Sequence, residues 1–440
     1  MSRPTRLSGF PEWLPADRIV EQQVLDTLQR VFELHGFASI ETRAVEPLSV
    51  LLSKGEVDKE VYVVRRLHAD PGEAEEDALA LHFDLTVPFA RYVLENAGKL
   101  DFPFRRYQIQ KAWRGERPQE GRYREFLQAD VDIVARDTLP LHYEVELPLV
   151  IADALAALPL PPVRIHANNR KLAEGFYRGI GVEDPMGVLR IVDKLDKIGP
   201  AGVKDALTTD VGLTDKQAEA CLSLAEIRTE DASFVDAVRA LGAEHPLLDE
   251  GLDELVRVVE GVREHAPGAV VADLKIARGL DYYTGTVYES TLVGHEDLGS
   301  VCSGGRYDNL ASTEGASYPG IGLSIGVSRL LGRLVGKEVV RASRQVPTCV
   351  LVALPDEDAR AACMRTAMTL RRRGIATEVA PNAAKYGKQI RYADRRGIPY
   401  VWFPGADGDE VKDIRSGDQM PADPASWSPP DDDLWPTITS

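Results

Sequence analysis

The chain has 440 residues, a formal net charge of −17 and an apolar fraction of 44%, and these values exclude several classes of protein. The length suggests two or three domains rather than one core. No run of about 18 apolar residues predicts a membrane span, and the N-terminal segment MSRPTRLSGF lacks the apolar core of a secretion signal. The four cysteines lack the spacing of a zinc site or a disulfide framework. We therefore expect a cytoplasmic protein without membrane partners.

Basic side chains are concentrated in two stretches of this acidic chain. One runs from Arg105 to Arg124, and the other runs from Arg371 to Arg396. The overall negative charge argues against a protein that coats nucleic acid non-specifically, whereas two local basic surfaces are compatible with a specific nucleic-acid partner. Solvated helix faces would produce the same runs, so charge alone leaves both explanations open.

The N-terminal region predicts two helices with strands between them. Apolar residues recur at helical spacing from Asp17 to His35, and Gly36 stands where a left-handed C-cap is expected. FASIETRAVEPL then predicts a strand that ends near Pro47. LALHFDLTVPFARYVLENAG predicts another strand, ending at Asp84 and Thr86, and a helix. These two side chains either cap the helix or bind a ligand, and the pattern favours neither.

The stretch from Phe104 to Val134, FRRYQIQKAWRGERPQEGRYREFLQADVDIV, predicts two antiparallel strands joined by a polar loop. Because side chains alternate along a strand, each arm has one apolar and one polar face. The polar face carries Arg106, Gln108, Gln110, Arg114, Gln128, Asp130 and Asp132. One interpretation is a surface hairpin whose polar face is solvated, and the other is a functional face.

A helical region separates this hairpin from three further segments rich in glycine and arginine. From Asn168 to about Ala266 the pattern is helical, with a capping box at Thr214–Gln217, and we interpret it as an insertion. ARGLDYYTGTVYES follows a predicted strand over Val270–Ala277. In SVCSGGRYDNL, Gly304-Gly305 is predicted to form a tight turn. GIGLSIGVSRLLGRL predicts a strand with three glycines, on which something flat or bulky lies, and then a helix.

The last hundred residues predict a separate small domain. The polar connection Arg341–Gln345 precedes alternating strand and helix patterns, which indicate an α/β fold. VPTCVLVAL predicts a buried strand, and Tyr386 to Gly397 predicts a basic helix. The tail predicts one more strand before a coil rich in Pro and Asp.

Together these stretches resemble the class II aminoacyl-tRNA synthetases, and within that class the histidyl-tRNA synthetase family. The hairpin is similar to motif 2 with Arg114 as its arginine, and GIGLSIGVSRLLGRL is similar to motif 3 with Arg329 as its arginine. The first helix and FASIETRAVEPL resemble motif 1, a dimer element. ARGLDYYTGTVYES and SGGRYDNL resemble the two peptides that distinguish the histidine enzymes, and YGKQIRYADRRGIPYVWFPG resembles their anticodon-binding domain.

The resemblance implies an α+β catalytic domain on a mainly antiparallel sheet of the class II synthetase type, a helical insertion and a C-terminal α/β anticodon-binding domain. The expected boundaries are residues 1–167 for the first catalytic part with motifs 1 and 2, 168–266 for the insertion, 267–340 for the second catalytic part with the histidine-specific peptides and motif 3, and 346–440 for the anticodon-binding domain.

The implied activity is the ligation of L-histidine to tRNA(His) in two steps. Histidine and ATP form histidyl-adenylate, with Mg²⁺ on the phosphates, and the histidyl group then moves to the 3′-terminal ribose of the tRNA. AMP and pyrophosphate are released, and the enzyme is expected to be a homodimer. The alternative is a synthetase-like regulatory subunit of histidine biosynthesis, which typically lacks the C-terminal domain. Another class II synthetase, such as the glycine or threonine enzyme, would lack the histidine-specific peptides.

The resemblance also assigns roles to individual residues. The catalytic candidates are Arg114 and Arg278. The histidine-binding candidates are Asp84, Thr86, Arg114, Gln128, Asp132, Arg278, Tyr282, Tyr283 and Tyr307. The ATP-binding candidates are Arg114, Glu116, Arg122 and Arg329. The tRNA-binding candidates are Arg117, Gln119, Lys388, Arg391 and Arg395. No metal ligand is assigned.

Overall fold

The computed structural model of the chain describes residues 5–52, 61–68, 78–276, 282–313, 315–406 and 408–439. The chain divides into two compact units. The first comprises Met1–Pro11 and Thr27–Arg333, and the second comprises Glu12–Asp26 and Leu334–Ser440. The long helix α1 (Pro15–Leu34) contributes residues to both units.

The first unit contains most of the strands and helices. Its strands are β1 (Ala38–Ser39), β2 (Val45–Pro47), β3 (Val63–Val64), β4 (Leu79–Leu81), β5 (Phe104–Trp113), β6 (Glu125–Val134), β7 (Val163–Asn169), β8 (Arg228–Thr229), β9 (Val270–Asp273), β10 (Thr286–Leu292), β11 (Cys302–Thr313) and β12 (Ala316–Ile325). Its helices are α2 (Leu48–Leu52), α3 (Thr86–Asn96), α4 (His142–Ala156), α5 (Arg170–Gly179), α6 (Pro185–Val192), α7 (Leu195–Thr209), α8 (Asp215–Ala225), α9 (Phe234–Ala240) and α10 (Pro246–His265), and α11 (Val327–Gly336) begins in it.

Among the described residues of this unit, nine strands form one large sheet in the order β1-β5-β6-β12-β11-β10-β7-β9-β8. The pairs β1–β5 and β7–β9 are parallel, and the other pairs are antiparallel. The expected mainly antiparallel sheet with flanking helices is therefore confirmed. A smaller sheet has the order β2-β4-β3.

The prediction of a tight turn at Gly304-Gly305 is wrong, because both residues lie inside β11. A Cβ atom on Gly304 would lie 1.9 Å from the carbonyl oxygen of Gly322, and one on Gly305 would lie 2.6 Å from that of Thr286. The glycines therefore allow neighbouring strands to approach closely, which is a second reason for glycine inside a strand.

The three glycines predicted in the motif 3 strand are placed differently. Gly320 and Gly322 lie on β12, and Gly326 follows it. A Cβ atom on Gly320 would lie 2.4 Å from the ring of Tyr307, and one on Gly322 would lie 2.1 Å from the carboxylate of Asp132. At these two positions the bulky groups that lie on the strand belong to the protein itself, namely the ring of Tyr307 and the carboxylate of Asp132.

The helical region of the first unit shows the predicted local signals. The side chain of Thr214 accepts a hydrogen bond from the backbone N–H of Gln217, and the Gln217 side chain accepts one from that of Thr214. This is the predicted capping box, and it begins α8. Among the described residues, no helix combines the length and apolarity needed to cross a membrane.

The second unit contains the predicted C-terminal strands and helices. Its elements are β13 (Arg341–Ala342), β14 (Val350–Val352), α12 (Arg360–Arg372), β15 (Thr377–Val379), α13 (Tyr386–Arg396), β16 (Tyr400–Phe403), β17 (Glu410–Asp413), β18 (Gln419–Pro421), α14 (Asp431–Leu434) and β19 (Ile438–Thr439). The described strands form a sheet in the order β15-β14-β16-β17-β18, and β13 pairs with β19. The prediction of one strand in the tail is wrong, because β17, β18 and β19 all follow residue 409.

Candidate active site

The hairpin of β5 and β6 brings its polar side chains together on one face. Arg106 pairs with Asp132 and Gln108 pairs with Asp130 across the two strands, and residues directly opposite each other share a face. Arg106 and Gln108 are fully buried, and the two aspartates are each 2% exposed. The interpretation of a solvated polar face is therefore wrong for these four residues.

Helix α3 covers part of this face. Its residues Phe89 and Val93 pack with Tyr307 of β11, and Tyr282 and Tyr283 pack against the same cluster. The guanidinium of Arg106 lies 4.1 Å from the centroid of the Phe89 ring, a cation–π distance. An apolar helix therefore covers the guanidinium of Arg106, which a free hairpin would expose to water.

Both carboxylate oxygens of Asp132 already have partners in the protein. Oδ1 accepts a hydrogen bond from the hydroxyl of Tyr307 at 2.6 Å, and Oδ2 forms an ion pair with Arg106 at 2.7 Å. Burial raises the pKa of Asp132, and the charge of Arg106 and the Tyr307 hydroxyl oppose that rise. Each oxygen retains a second lone pair with which to accept a hydrogen bond from a ligand.

Asp84 caps a helix with one oxygen and leaves the other without a protein partner. Oδ1 accepts a hydrogen bond from the backbone N–H of Val87 at 3.1 Å, at the start of α3. Oδ2 is buried and has no hydrogen-bond partner among the described residues. Burial raises the pKa of Asp84 to about 6. Capping and ligand binding therefore involve different oxygens, and both alternatives remain compatible with the geometry.

Gln128 and Asp130 of β6 also present polar atoms without protein partners. The side-chain N–H of Gln128 donates to the hydroxyl of Ser324 at 2.8 Å. Gln128 Oε1 and Asp130 Oδ1 are buried and make no hydrogen bond within the described parts of the chain. Burial raises the pKa of Asp130 to about 7, although Arg106 opposes this. We call Asp84, Asp130 and Asp132 the acidic floor.

Two tyrosines stand beside the acidic floor. The ring centroids of Tyr282 and Tyr283 are 4.8 Å apart, and Tyr282 lies 6.2 Å from Tyr307. The hydroxyl of Tyr282 is hydrogen-bonded to Thr86, the first residue of α3. Burial raises the pKa of both tyrosines well above the usual value, so their hydroxyl groups stay protonated and can donate hydrogen bonds.

A cavity of about 530 Å³ opens next to these groups. Its lining includes Gln128, Tyr283 and Ser324, together with Arg114, Arg122 and Arg329. We call these three arginines the arginine rim. The volume is that of a site for a small organic molecule.

Each arginine of the rim contacts another residue of the first unit. Arg114 Nε donates to the carbonyl oxygen of Phe83 at 3.0 Å, and Arg329 Nε donates to that of Gly121 at 3.2 Å. Arg122 lies 3.6 Å from the carboxylate of Glu116, which also lines the cavity. The cavity lining therefore contains three cationic groups, and Tyr283 connects it to the acidic floor, whose carboxylates are not among the lining residues.

The comparisons with known proteins agree along the whole chain. The family described as Histidyl-tRNA synthetase matches residues 9–330, and the one described as Anticodon binding domain matches residues 348–418. Curated proteins named Histidine--tRNA ligase from Micrococcus luteus and Cutibacterium acnes are 60% and 59% identical to this chain. Each alignment covers 100% of this chain and 99% of the relative.

A crystal structure of histidyl-tRNA synthetase from Nostoc sp. PCC 7120 is 35% identical, with a TM-score of 0.85, and the match covers 95% of this chain and 96% of that one. The chain belongs to the histidyl-tRNA synthetase family.

Of the residues expected at the active site, six line the cavity: Arg114, Glu116, Arg122, Gln128, Tyr283 and Arg329. Asp84, Thr86, Asp132, Tyr282 and Tyr307 do not line it but lie in the buried cluster around Tyr283. Arg278 lies outside the described residues, so its position is not part of this geometry. Arg117 and Gln119 are exposed on the loop between β5 and β6, away from the cavity lining. The remaining candidates in the second unit, Lys388, Arg391 and Arg395, are exposed on α13.

Several residues at this cavity are not among those that the sequence singles out. Phe126 lies 5.1 Å from the Arg114 guanidinium, and Ser324 binds Gln128. Alternation along β6 places Phe126 on the polar face with Gln128, so that signal was available. Glu289 also lines the cavity, but its strand lies far away in sequence and offers no comparable signal.

Proposed function

We propose that this chain ligates L-histidine to tRNA(His) through a histidyl-adenylate, with release of pyrophosphate and then AMP. The observation that carries the proposal is the cavity lined by the arginine rim and by Tyr283, which interacts electrostatically with the buried carboxylates of the acidic floor. The arginines suit the carboxylate of an amino acid and a polyphosphate, and the aspartates suit an ammonium group. Full-length relatives named Histidine--tRNA ligase support the same activity.

In the proposed first step, the carboxylate of histidine attacks the α-phosphorus of ATP. An α-carboxyl group has a pKa of about 3.5, so it is ionised at neutral pH and needs no general base. The barrier comes from the approach of two anions, and preorganised positive charge lowers it. We assign this role to Arg114, which can hold a phosphate with two parallel hydrogen bonds, and to Arg278.

Histidine recognition requires an acceptor for an imidazole N–H, a partner for the other ring nitrogen and an anion for the ammonium group. We assign the ammonium to Asp84, Thr86 and Gln128, because Asp84 Oδ2 and Gln128 Oε1 have no described protein partner. We assign the ring to Asp132, Tyr282, Tyr283 and Tyr307. A site built from such polar groups disfavours apolar amino acids, whose binding would leave those groups unpaired.

ATP is proposed to bind along the arginine rim, with Arg329 and Arg122 at its outer part and Glu116 nearby. Mg²⁺ prefers oxygen ligands and is commonly held by one or two carboxylates together with substrate phosphates and water. Glu116 and Glu289 line the cavity and suit that arrangement, although the described residues contain no cluster of three potential metal ligands. When bound, the ion would offset charge on the phosphates.

Transfer to tRNA is proposed to involve two basic surfaces. Arg117 and Gln119, on the loop of the hairpin, are assigned to the acceptor end. Lys388, Arg391 and Arg395 are assigned to the anticodon arm, because they are exposed on α13 within a unit that matches the anticodon-binding family. Exposed Lys and Arg side chains on one helix suit contacts with phosphates.

The division of the chain into the four expected segments, the homodimer and the cytoplasmic location are further parts of this proposal. The alternative, a regulatory subunit of histidine biosynthesis, is disfavoured because the full-length ligases are similar along all of this chain. The family match at residues 348–418 also argues against a subunit that lacks the C-terminal domain.

The direct test is ATP–pyrophosphate exchange with purified protein and single amino acids. We expect exchange with L-histidine and little with glycine or threonine, followed by charging of tRNA(His). Equal exchange with glycine or threonine, or none with any amino acid, would refute the proposed activity.

A further inference from the structure

Arg306 belongs to the peptide SGGRYDNL, but its side chain is directed away from the acidic floor. Its neighbour Tyr307 reaches Asp132, so alternation along β11 directs Arg306 to the opposite face of the sheet. There Nη1 donates to Glu144 Oε1 at 2.9 Å and to the carbonyl oxygen of Leu139 at 3.1 Å. Nε donates to Asp308 Oδ1 at 2.9 Å. No role in substrate binding has been assigned to this arginine.

Glu144 is a fully buried carboxylate in the first turn of α4. Its second oxygen, Oε2, accepts a hydrogen bond from the backbone N–H of Thr286 at 3.3 Å. Burying a carboxylate is costly unless it is paired and hydrogen-bonded. Glu144 therefore links Arg306 to the start of β10, and its burial fixes both in one geometry.

The backbone between Tyr283 and Thr286 is held by the same cluster. The backbone N–H of Thr284 donates to the carbonyl oxygen of Arg306 at 2.9 Å, and its hydroxyl donates to Asp308 Oδ2 at 2.5 Å. The next residue, Gly285, lies against the Arg306 side chain, where an added Cβ atom would be 2.8 Å from Cδ. Three successive residues therefore contact one ion-pair cluster.

We propose that Glu144, Arg306 and Asp308 are positioning residues for histidine recognition, because they fix the backbone immediately after Tyr283 and so hold its side chain at the cavity. The inference rests on the proposed function, in which Tyr283 contacts the imidazole. The cluster does not touch the cavity; it acts from the other face of the sheet through Thr284 and Thr286.

This arrangement predicts that histidine binding and ATP binding respond differently. Tyr283 is attached directly to the segment that the cluster holds, whereas Arg122 and Arg329 belong to other segments with their own anchors. Loosening the cluster lets Tyr283 shift, and a small displacement of a positioned group is enough to weaken its contacts. Histidine KM should therefore rise while ATP KM stays nearly constant.

Two variants test the proposal with different degrees of disruption. Thr284→Val keeps the shape of the side chain and removes only the hydroxyl that donates to Asp308. It should raise histidine KM in pyrophosphate exchange by roughly two- to tenfold, the order of one hydrogen bond, because water can replace the hydroxyl at the 33% exposed carboxylate of Asp308. Glu144→Gln removes the buried charge and should raise histidine KM on the order of tenfold or more, because hydrogen bonds to charged groups are stronger than neutral ones. ATP KM should change by less than about twofold in both.

The matched control is Glu46→Gln. Glu46 is also a fully buried carboxylate, paired with Arg91 at 2.6 Å, but it makes no described contact with residues 282–286. It should lower the melting temperature and leave histidine KM unchanged. Arg306→Lys retains a positive charge and should therefore keep part of the histidine affinity that Arg306→Met loses.

Circular dichroism first establishes that each variant folds. If Glu144→Gln does not fold, Thr284→Val decides the question. A folded Thr284→Val protein with the histidine KM of the parent chain would overturn the proposal, and so would equal increases of histidine and ATP KM. Absence of histidine-dependent exchange in the parent chain would instead refute the proposed function.

Discussion

The two large sheets of the molecule bury different kinds of side chain. In the five-stranded sheet, Val350–Val352 on β14 and Val401 and Trp402 on β16 form part of an apolar core. In the nine-stranded sheet, the neighbouring strands β5 and β6 bury Arg106, Asp130 and Asp132. Apolar burial stabilises a fold by about 25 cal/mol per Å², whereas burial of charges costs free energy unless they are well paired.

This difference indicates where each sheet has its function. Packing accounts for the core of the five-stranded sheet, and its proposed role depends on the exposed side chains of α13. Packing does not account for three buried carboxylates near one buried arginine, and ionisable groups kept in such surroundings are typical of binding and catalytic sites. Changes to the nine-stranded sheet should therefore alter amino-acid activation, and changes to α13 should not.

The largest effect is expected at the two proposed catalytic arginines, Arg114 of the rim and Arg278. Arg114→Ala and Arg278→Ala should each lower the single-turnover rate of adenylate formation by a factor on the order of 10² to 10³, the usual cost of losing one transition-state charge contact. KM values should change less. Rapid-quench measurement of adenylate checks the rate, with the exposed Arg136→Ala as control. A near-normal rate in either variant would remove that arginine from the proposed mechanism.

A smaller effect, on the second step alone, is expected from α13. Arg391→Ala should lower kcat/KM for tRNA(His) by roughly two- to tenfold and reduce the salt dependence of tRNA binding by about one unit of slope. Histidine-dependent pyrophosphate exchange should be unaffected.

Arg365→Ala is the matched control for α13, because Arg365 is exposed on α12 of the same unit and has no proposed tRNA contact. Equal charging by the Arg391→Ala variant and the parent chain would contradict an anticodon-arm contact. A parallel loss of exchange would contradict the separation between the two sheets.

The sequence predicts the parts of the site that depend on local pattern. Alternation along β5 and β6 predicts that Arg106, Asp130 and Asp132 share a face, and the pairing of these strands confirms it. The capping box at Thr214 is equally local. Burial of the shared face could not be predicted, because it depends on distant segments, such as α3, whose Phe89 packs on Arg106.

Other features depend on residues that are distant in sequence. Glycine pairs occur both in turns and where strands approach closely, and only the carbonyl oxygens of Thr286 and Gly322 decide between these for Gly304 and Gly305. The ion pair of Glu144 with Arg306 joins residues 162 positions apart. No local pattern predicts such a partner, so the positioning cluster becomes visible only in the fold.

The smallest expected effect concerns the pH dependence of stability. The nine-stranded sheet buries the acidic floor, so we expect this dependence to arise there. The pKa of Asp130 is raised from 3.8 to about 7 by burial, so between about pH 4 and pH 7 the folded chain retains a proton that the unfolded chain releases. The free energy of unfolding therefore falls as pH rises through this window. Asp130→Asn cannot ionise, and its stability should fall less.

The thermal midpoint measured from pH 5 to pH 8 tests this, and the two proteins should diverge by on the order of a few degrees at the upper end. The exposed Asp101→Asn, in the same unit, should follow the parent chain. Parallel curves for the parent chain and Asp130→Asn would show that Asp130 is ionised throughout. The positive charge of Arg106, which opposes the rise in the Asp130 pKa, would then be enough to keep the buried carboxylate ionised, and the two sheets would not differ in proton binding at Asp130.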